Sequence, residues 1–222
     1  MDTNRSGFLS AFEWFWNDWG STQDNLVFIV CGSATSWITE KVIENKGGLF
    51  NRLTCRLYLQ PFNLYETEQY LKSRGINWSE YDIAQCYMIM GGIPYYLHLL
   101  DSQLTLNANI DNMFFRKRAE LRDEFDHLFR TLFSNSDQYI KVVEQLSKKR
   151  MGMTRDGISR SARISGNGAL SKILGDLTAS GFVRKYTFYG HKNRDALYQL
   201  ADYYTLFYYR FIKDRAGRDE HF

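Results

Sequence analysis

Nowhere does this 222-residue sequence hold the roughly 18 consecutive apolar residues that a membrane-spanning helix needs. Its first residues, Met1-Asp2-Thr3-Asn4-Arg5, also lack the basic stretch and apolar core of a secretory leader. A soluble, cytoplasmic protein without a membrane partner is expected. Cysteine is scarce: Cys31, Cys55 and Cys86 are odd in number, far apart and never in a CxxC pair. That spacing argues against a metal or redox role and predicts reduced core thiols. His98, His127, His191 and His221 form no metal spacing with them, so no metal site is expected. Internal repeats and low-complexity tracts are absent as well.

What is present is a composition for packing, 44% hydrophobic and 16% aromatic, enough for one large or two small domains. The net charge of +3 conceals an asymmetry. Residues 136–200 carry twelve Lys or Arg against five Asp or Glu, a balance of +7, which leaves −4 for the remainder. A basic carboxy-terminal module of this kind suits a polyanion, although a solvated surface gives the same count.

Along the chain, Phe8 to Trp19 reads as an aromatic amphipathic helix. The uninterrupted apolar run Leu26 to Cys31 reads as a buried parallel strand. Gly32 to Ser36 form a turn into a helix running to about Glu44, and Leu53 to Leu59 make a second strand. Helices follow: Asn63 with Glu66 predicts a capping box, Ser79 with Asp82 another helix start, and Gly91-Gly92 its end. Pro94 opens a short helix, and a charged helix is expected over 111–132, ahead of a linker at Phe133-Ser134-Asn135-Ser136. Beyond it come helices at Gln138 to Ser147, Arg155 to Ala162 and Ala169 to Ala179, then alternating strands Phe182 to Tyr189 and Ala196 to Leu200 around the loop Gly190 to Asp195. Three helices and a two-stranded wing make a winged helix-turn-helix. The aromatic stretch 203–211 has helical spacing and is expected to be buried against it.

In their order, several pieces resemble the prokaryotic AAA+-like P-loop ATPases related to the STAND NTPases. They are Phe28-Ile29-Val30-Cys31-Gly32-Ser33, Gly48-Leu49-Phe50-Asn51-Arg52, Gln60-Pro61-Phe62, Gly91-Gly92-Ile93-Pro94-Tyr95-Tyr96-Leu97, the run Leu174 to Val183, Tyr198 to Asp202, and Phe207 to Phe211. The resemblance implies an α/β remnant of a P-loop NTPase sheet in residues 1–60, an α-helical lid in 61–135 and a winged helix in 136–222. It further implies ATP and Mg2+ as ligands of the full-length protein, Ser33 at the position of a phosphate sensor and Arg52 at that of a loop arginine near the nucleotide. No GxxxxGK[ST] occurs in the sequence, and the acidic strand that holds magnesium is missing too. The chain is therefore expected to begin inside the parent domain and to be no ATPase by itself, because phosphoryl transfer depends on the phosphate loop and the metal.

For the winged helix, Ala169, Leu170, Ile173, Leu174 and Leu177 are assigned to the core side of the third helix, with Asn167, Lys172, Asp176 and Ser180 outward. Arg155, Arg160 and Arg163 on the preceding helix and turn, with Lys192 and Arg194 on the wing, would meet DNA phosphates while Asn167 or Lys172 reaches base edges. Double-stranded DNA and a protein surface are the two partners this arrangement implies. A stand-alone winged-helix regulator is the alternative to the ATPase.

Overall fold

The computed structural model describes residues 6–32, 42–43, 48–49, 52–165, 168–190 and 195–213. They are mainly helical, with one small antiparallel sheet of three strands. No helix among the described residues is long and apolar enough to cross a membrane. The chain divides into two compact units, Met1–Tyr58 and Leu59–Phe222.

In the first unit, helix α1 (Phe8–Asp18) offers an aromatic face to Phe28, whose ring lies 5.4 Å from those of Phe12 and Phe15 and 6.2 Å from that of Trp16. Asn17 Nδ2 donates to Gly48 O at 2.8 Å. The two strands expected here do not form: residues 26–32 and 53–59 pair with nothing as strands, and Val27, Leu57 and Leu59 are 83%, 81% and 93% exposed. An apolar run becomes a buried strand only when neighbours supply its ladder bonds and cover both faces. The described residues supply neither. Cys31 and Cys55 are exposed for the same reason, contrary to the core placement expected, whereas Cys86 is buried and its thiol is pushed up to about 12 by desolvation. Ser33, the helix expected from Ser36 to Glu44 except residues 42–43, and most of the glycine loop lie outside the described residues.

The second unit opens with helices whose ends are written into local sequence. Asn63 caps α2 (Leu64–Ser73) by a complete capping box, Glu66 N donating to Asn63 Oδ1 at 2.9 Å and Asn63 N to Glu66 Oε2 at 2.8 Å. Ser79 caps α3 (Glu80–Met90), which Gly91 terminates in the left-handed conformation. Pro94 stands at the first position of α4 (Pro94–His98), and Thr105 caps α5 (Leu106–Ile110). The single helix expected over 111–132 is broken. Asp111–Phe115 form a wide π-type turn, residues 116–123 are irregular, and helix resumes as α6 (Glu124–Leu132). Leu121 is the reason: it is fully buried, and its N–H donates back to Met113 O at 3.0 Å, a tertiary contact that overrides helix propensity.

Helix α7 (Ser136–Ser147) leads to strand β1 (Met153–Thr154), then α8 (Arg155–Ala162), α9 (Gly168–Ala179), β2 (Val183–Tyr186) and β3 (Leu197–Leu200). The sheet order is β1-β3-β2, all antiparallel, with Met153 opposite Tyr198 and Val183 opposite Leu200. Phe133, expected in a linker, is buried instead and stacks on Tyr139 at 4.1 Å. Last, α10 (Tyr203–Phe207) and a π-type turn (Tyr208–Ile212) return to the helices before α7. Tyr208 stacks on Phe125 at 4.2 Å, and Tyr204 lies 5.2 Å from Tyr96. The burial expected of the aromatic stretch holds only in part: Tyr204 is buried and Phe207, Tyr208 and Tyr209 are half-buried, with contacts to α4 and α6, whereas Tyr203, Leu206 and Phe211 are exposed.

Candidate nucleic-acid interface

Helices α8 and α9 are set by short-range chemistry. Thr154 caps α8 through Gly157 N at 3.2 Å. Arg163 ends it at φ +54°, unusual for a residue with a side chain, and its N–H donates to Ser159 O. Ser159 Oγ donates to Ile164 O at 2.7 Å and secures the turn. Strand β1 can approach β3 because Gly152 precedes it at φ +79°; a Cβ there would stand 2.6 Å from Tyr198 O.

Helix α9 buries Leu170, Ile173, Leu174 and Leu177 and turns Ala169, Lys172, Gly175 and Ala179 to solvent. The exposed face is thus small except for one cation, a shape that seats deeply in a groove about 12 Å wide. Three assignments differ from expectation. Ala169 is exposed, Ser180 is half-buried, and Asp176 is half-buried, accepting from Tyr139 Oη at 2.6 Å. That bond ties the acid to α7 and takes it off the open surface.

The expected cations are distributed as follows. Lys172 is exposed on α9, Arg160 and Arg163 are exposed on α8 and its exit, and Arg155 is half-buried. Arg155 donates from its guanidinium to Ser171 Oγ at 3.0 Å, which joins α8 to α9. Arg160 Nε donates to Asp156 O at 3.3 Å, a local bond that leaves its charge in solvent. Asn167, Lys192 and Arg194 lie outside the described residues, as does Ser33. Arg52 is in the first unit, exposed, with its backbone N–H on Leu49 O at 3.2 Å and no side-chain ion pair among the described residues.

Sequence reasoning missed three cations and an aromatic row. Arg150 is exposed, and its carbonyl accepts from Gln199 Nε2. Arg184 and Lys185 are exposed on β2; Arg184 Nε donates to Gln199 Oε1 at 2.7 Å, and its guanidinium stands 5.8 Å from the Tyr186 ring centre. The signal was available in Arg184-Lys185-Tyr186-Thr187-Phe188-Tyr189, where cations and aromatic rings follow one another without an acid.

With this geometry in place, the comparisons with known proteins are brief. No family model and no solved structure matches the sequence. Over 186 residues the chain is 26% identical to an uncharacterised protein of Methanocaldococcus jannaschii, a match covering 83% of this chain and 40% of that protein. The chain therefore spans well under two thirds of that relative.

Proposed function

We propose that residues 136–200 form a winged helix-turn-helix that binds double-stranded DNA, as the output module of an AAA+-like ATPase to which this chain contributes the helical lid and the carboxy-terminal part. ATP and Mg2+ belong to the complete ATPase. By itself the chain does not bind ATP tightly, because no phosphate loop stands in its sequence.

The observation that carries the DNA reading is the order α7-β1-α8-α9-β2-β3 with sheet order β1-β3-β2, together with the cations placed around α9. Two helices with five residues between them, 163–167, put the second one forward, and the sheet extends to its side. Residues 148–190 hold nine Lys or Arg against two Asp, and one of the two, Asp176, is engaged by Tyr139. The nucleotide half of the reading rests on the resemblance. It is supported by exposed Val27, Ile29 and Leu57, an apolar surface that the sheet of such an ATPase would cover.

Fluorescence anisotropy on labelled duplex tests the DNA reading. Affinity should fall as salt rises, since each neutralised phosphate releases nearly one counterion. Replacing Lys192 and Arg194 by Ala should flatten the log-log salt slope by about one to two units at similar cost for every sequence, and Lys172→Ala should add a sequence-dependent loss. Absence of binding at about 50 mM salt, or a slope indifferent to these substitutions, overturns the reading and points to a protein partner.

A further inference from the structure

The outer face of β2 and the turn that follows it carry rings where a soluble protein ordinarily keeps polar groups. We propose that Tyr186, Phe188 and Tyr189, flanked by Arg184 and Lys185, form a stacking platform for the bases of an unpaired strand. The protein then binds duplex DNA with a single-stranded tail better than blunt duplex. This inference rests on the DNA reading above and extends it to a second substrate feature, the junction between paired and unpaired DNA.

The platform is anchored. Tyr186 Oη donates to Met151 O at 2.6 Å, and the Phe188 ring meets the Tyr186 ring edge-on at 5.9 Å. The Arg184 guanidinium lies 5.8 Å from the Tyr186 ring centre and is itself held by Gln199, the residue opposite it in the strand register. Lys185, on the opposite side of the strand, lies 5.9 Å from the Tyr198 ring centre. Beyond these fixed groups Phe188 is about half exposed and Tyr189 wholly so. An exposed ring beside cations has a natural polyanionic partner, because every base offers a π-face and every nucleotide a phosphate.

The charge of the strip suits a polyanion: from Arg184 to Gly190 it holds two cations and no acid. Its side chains also meet what single-strand binding demands: rings for stacking, tolerant of base identity, and cations tracking the backbone.

The test uses the whole chain and three labelled DNAs: a blunt duplex, the same duplex with a tail of about six thymidines, and the duplex lengthened by about six base pairs. Tailed DNA should bind roughly five- to a hundredfold tighter than either blunt form, the range expected for stacking one base. Tyr189→Ala should remove most of that preference and leave blunt-duplex affinity unchanged, while Tyr189→Trp should keep it. Because Tyr189 is fully exposed, its substitution leaves the fold intact, and an unaltered circular dichroism spectrum checks this. Equal binding of tailed and blunt DNA by the wild-type chain overturns the platform and leaves the DNA reading standing. A preference that survives both Tyr189→Ala and Phe188→Ala also overturns it. No binding to any of the three DNAs overturns both.

Discussion

Gly91 and Gly92 follow one another at the end of α3 with almost equal positive φ, +65° and +68°, yet a methyl group added to each meets different surroundings. On Gly91 it would touch the Tyr203 side chain at 3.5 Å, an ordinary contact. On Gly92 it would stand 2.0 Å from Phe62 O, on a segment fixed by the 2.9 Å bond from Phe62 N to Gly92 O. Gly91→Ala should therefore cost about 1–2 kcal/mol, the left-handed penalty alone, and Gly92→Ala roughly 2–5 kcal/mol as strain and overlap combine. Urea unfolding of the two variants measures the difference; equal costs would mean that Phe62 yields without resistance. At this scale the sequence was legible wherever a residue acts on near neighbours. The Asn63–Glu66 capping box, the Ser79 cap and the Gly91 stop were all readable, because their bonds span three or four residues. Buried Asn109 was not: it accepts from Asp101 N at 2.7 Å and donates to Asp101 O and Thr105 O, both at 3.0 Å, bonds that exist only once the loop before α5 has folded back.

Among the elements, α7 is linked to the end of the 208–212 turn by Glu144, which lies 3.0 Å from Lys213 and 3.3 Å from Lys148. The hydrogen bond from Lys213 lowers the Glu144 carboxyl below its usual value, with Lys148 adding to it and partial burial opposing. A lowered folded-state value means that the contribution is present above the unfolded value and is lost as pH falls through the folded one. Glu144→Gln should thus cost up to about 1 kcal/mol at neutral pH, because the group is largely solvated, and the difference should vanish as pH falls through the lowered folded-state value. Thermal unfolding of both proteins across that range checks the sign; a gap that widens with acid would assign the effect to another group. Elements were harder to read where their existence depends on distant partners. The two-residue β1 has no sequence signal, since it arises from Gly152 letting the chain approach Tyr198. The break at 116–123 follows from the burial of Leu121, and the runs at 26–31 and 53–59 carry a strand pattern without a described partner. The basic set on α8 and α9 was readable, whereas the Gln199–Arg184–Tyr186 row required the register of β2 on β3.

Across residues 59–213 one core runs through both parts that the sequence separates into lid and carboxy-terminal module. Its aromatic thread passes from Tyr96 to Tyr204, from Tyr208 to Phe125, and on through Phe129 to Phe133, Phe182 and Tyr139. Packed interiors transmit displacement because they have little free volume to absorb it. Two parts packed on one core in this way should share one stability. Phe125 is the point at which to test this, since its ring contacts Phe129 on its own helix and both Tyr208 and Tyr209 in the 208–212 turn. Phe125→Ala should lower the stability of the second unit by about 3–5 kcal/mol, the usual cost of emptying a buried aromatic site. Native-state hydrogen exchange then distinguishes one cooperative body from two. If the core is shared, the slowest amides of α3 and of α9 open with the same free energy in the wild type and lose the same amount in Phe125→Ala. If α9 keeps its protection while α3 loses its own, the two parts fold independently, and the coupling proposed between nucleotide and DNA must pass through something other than this core.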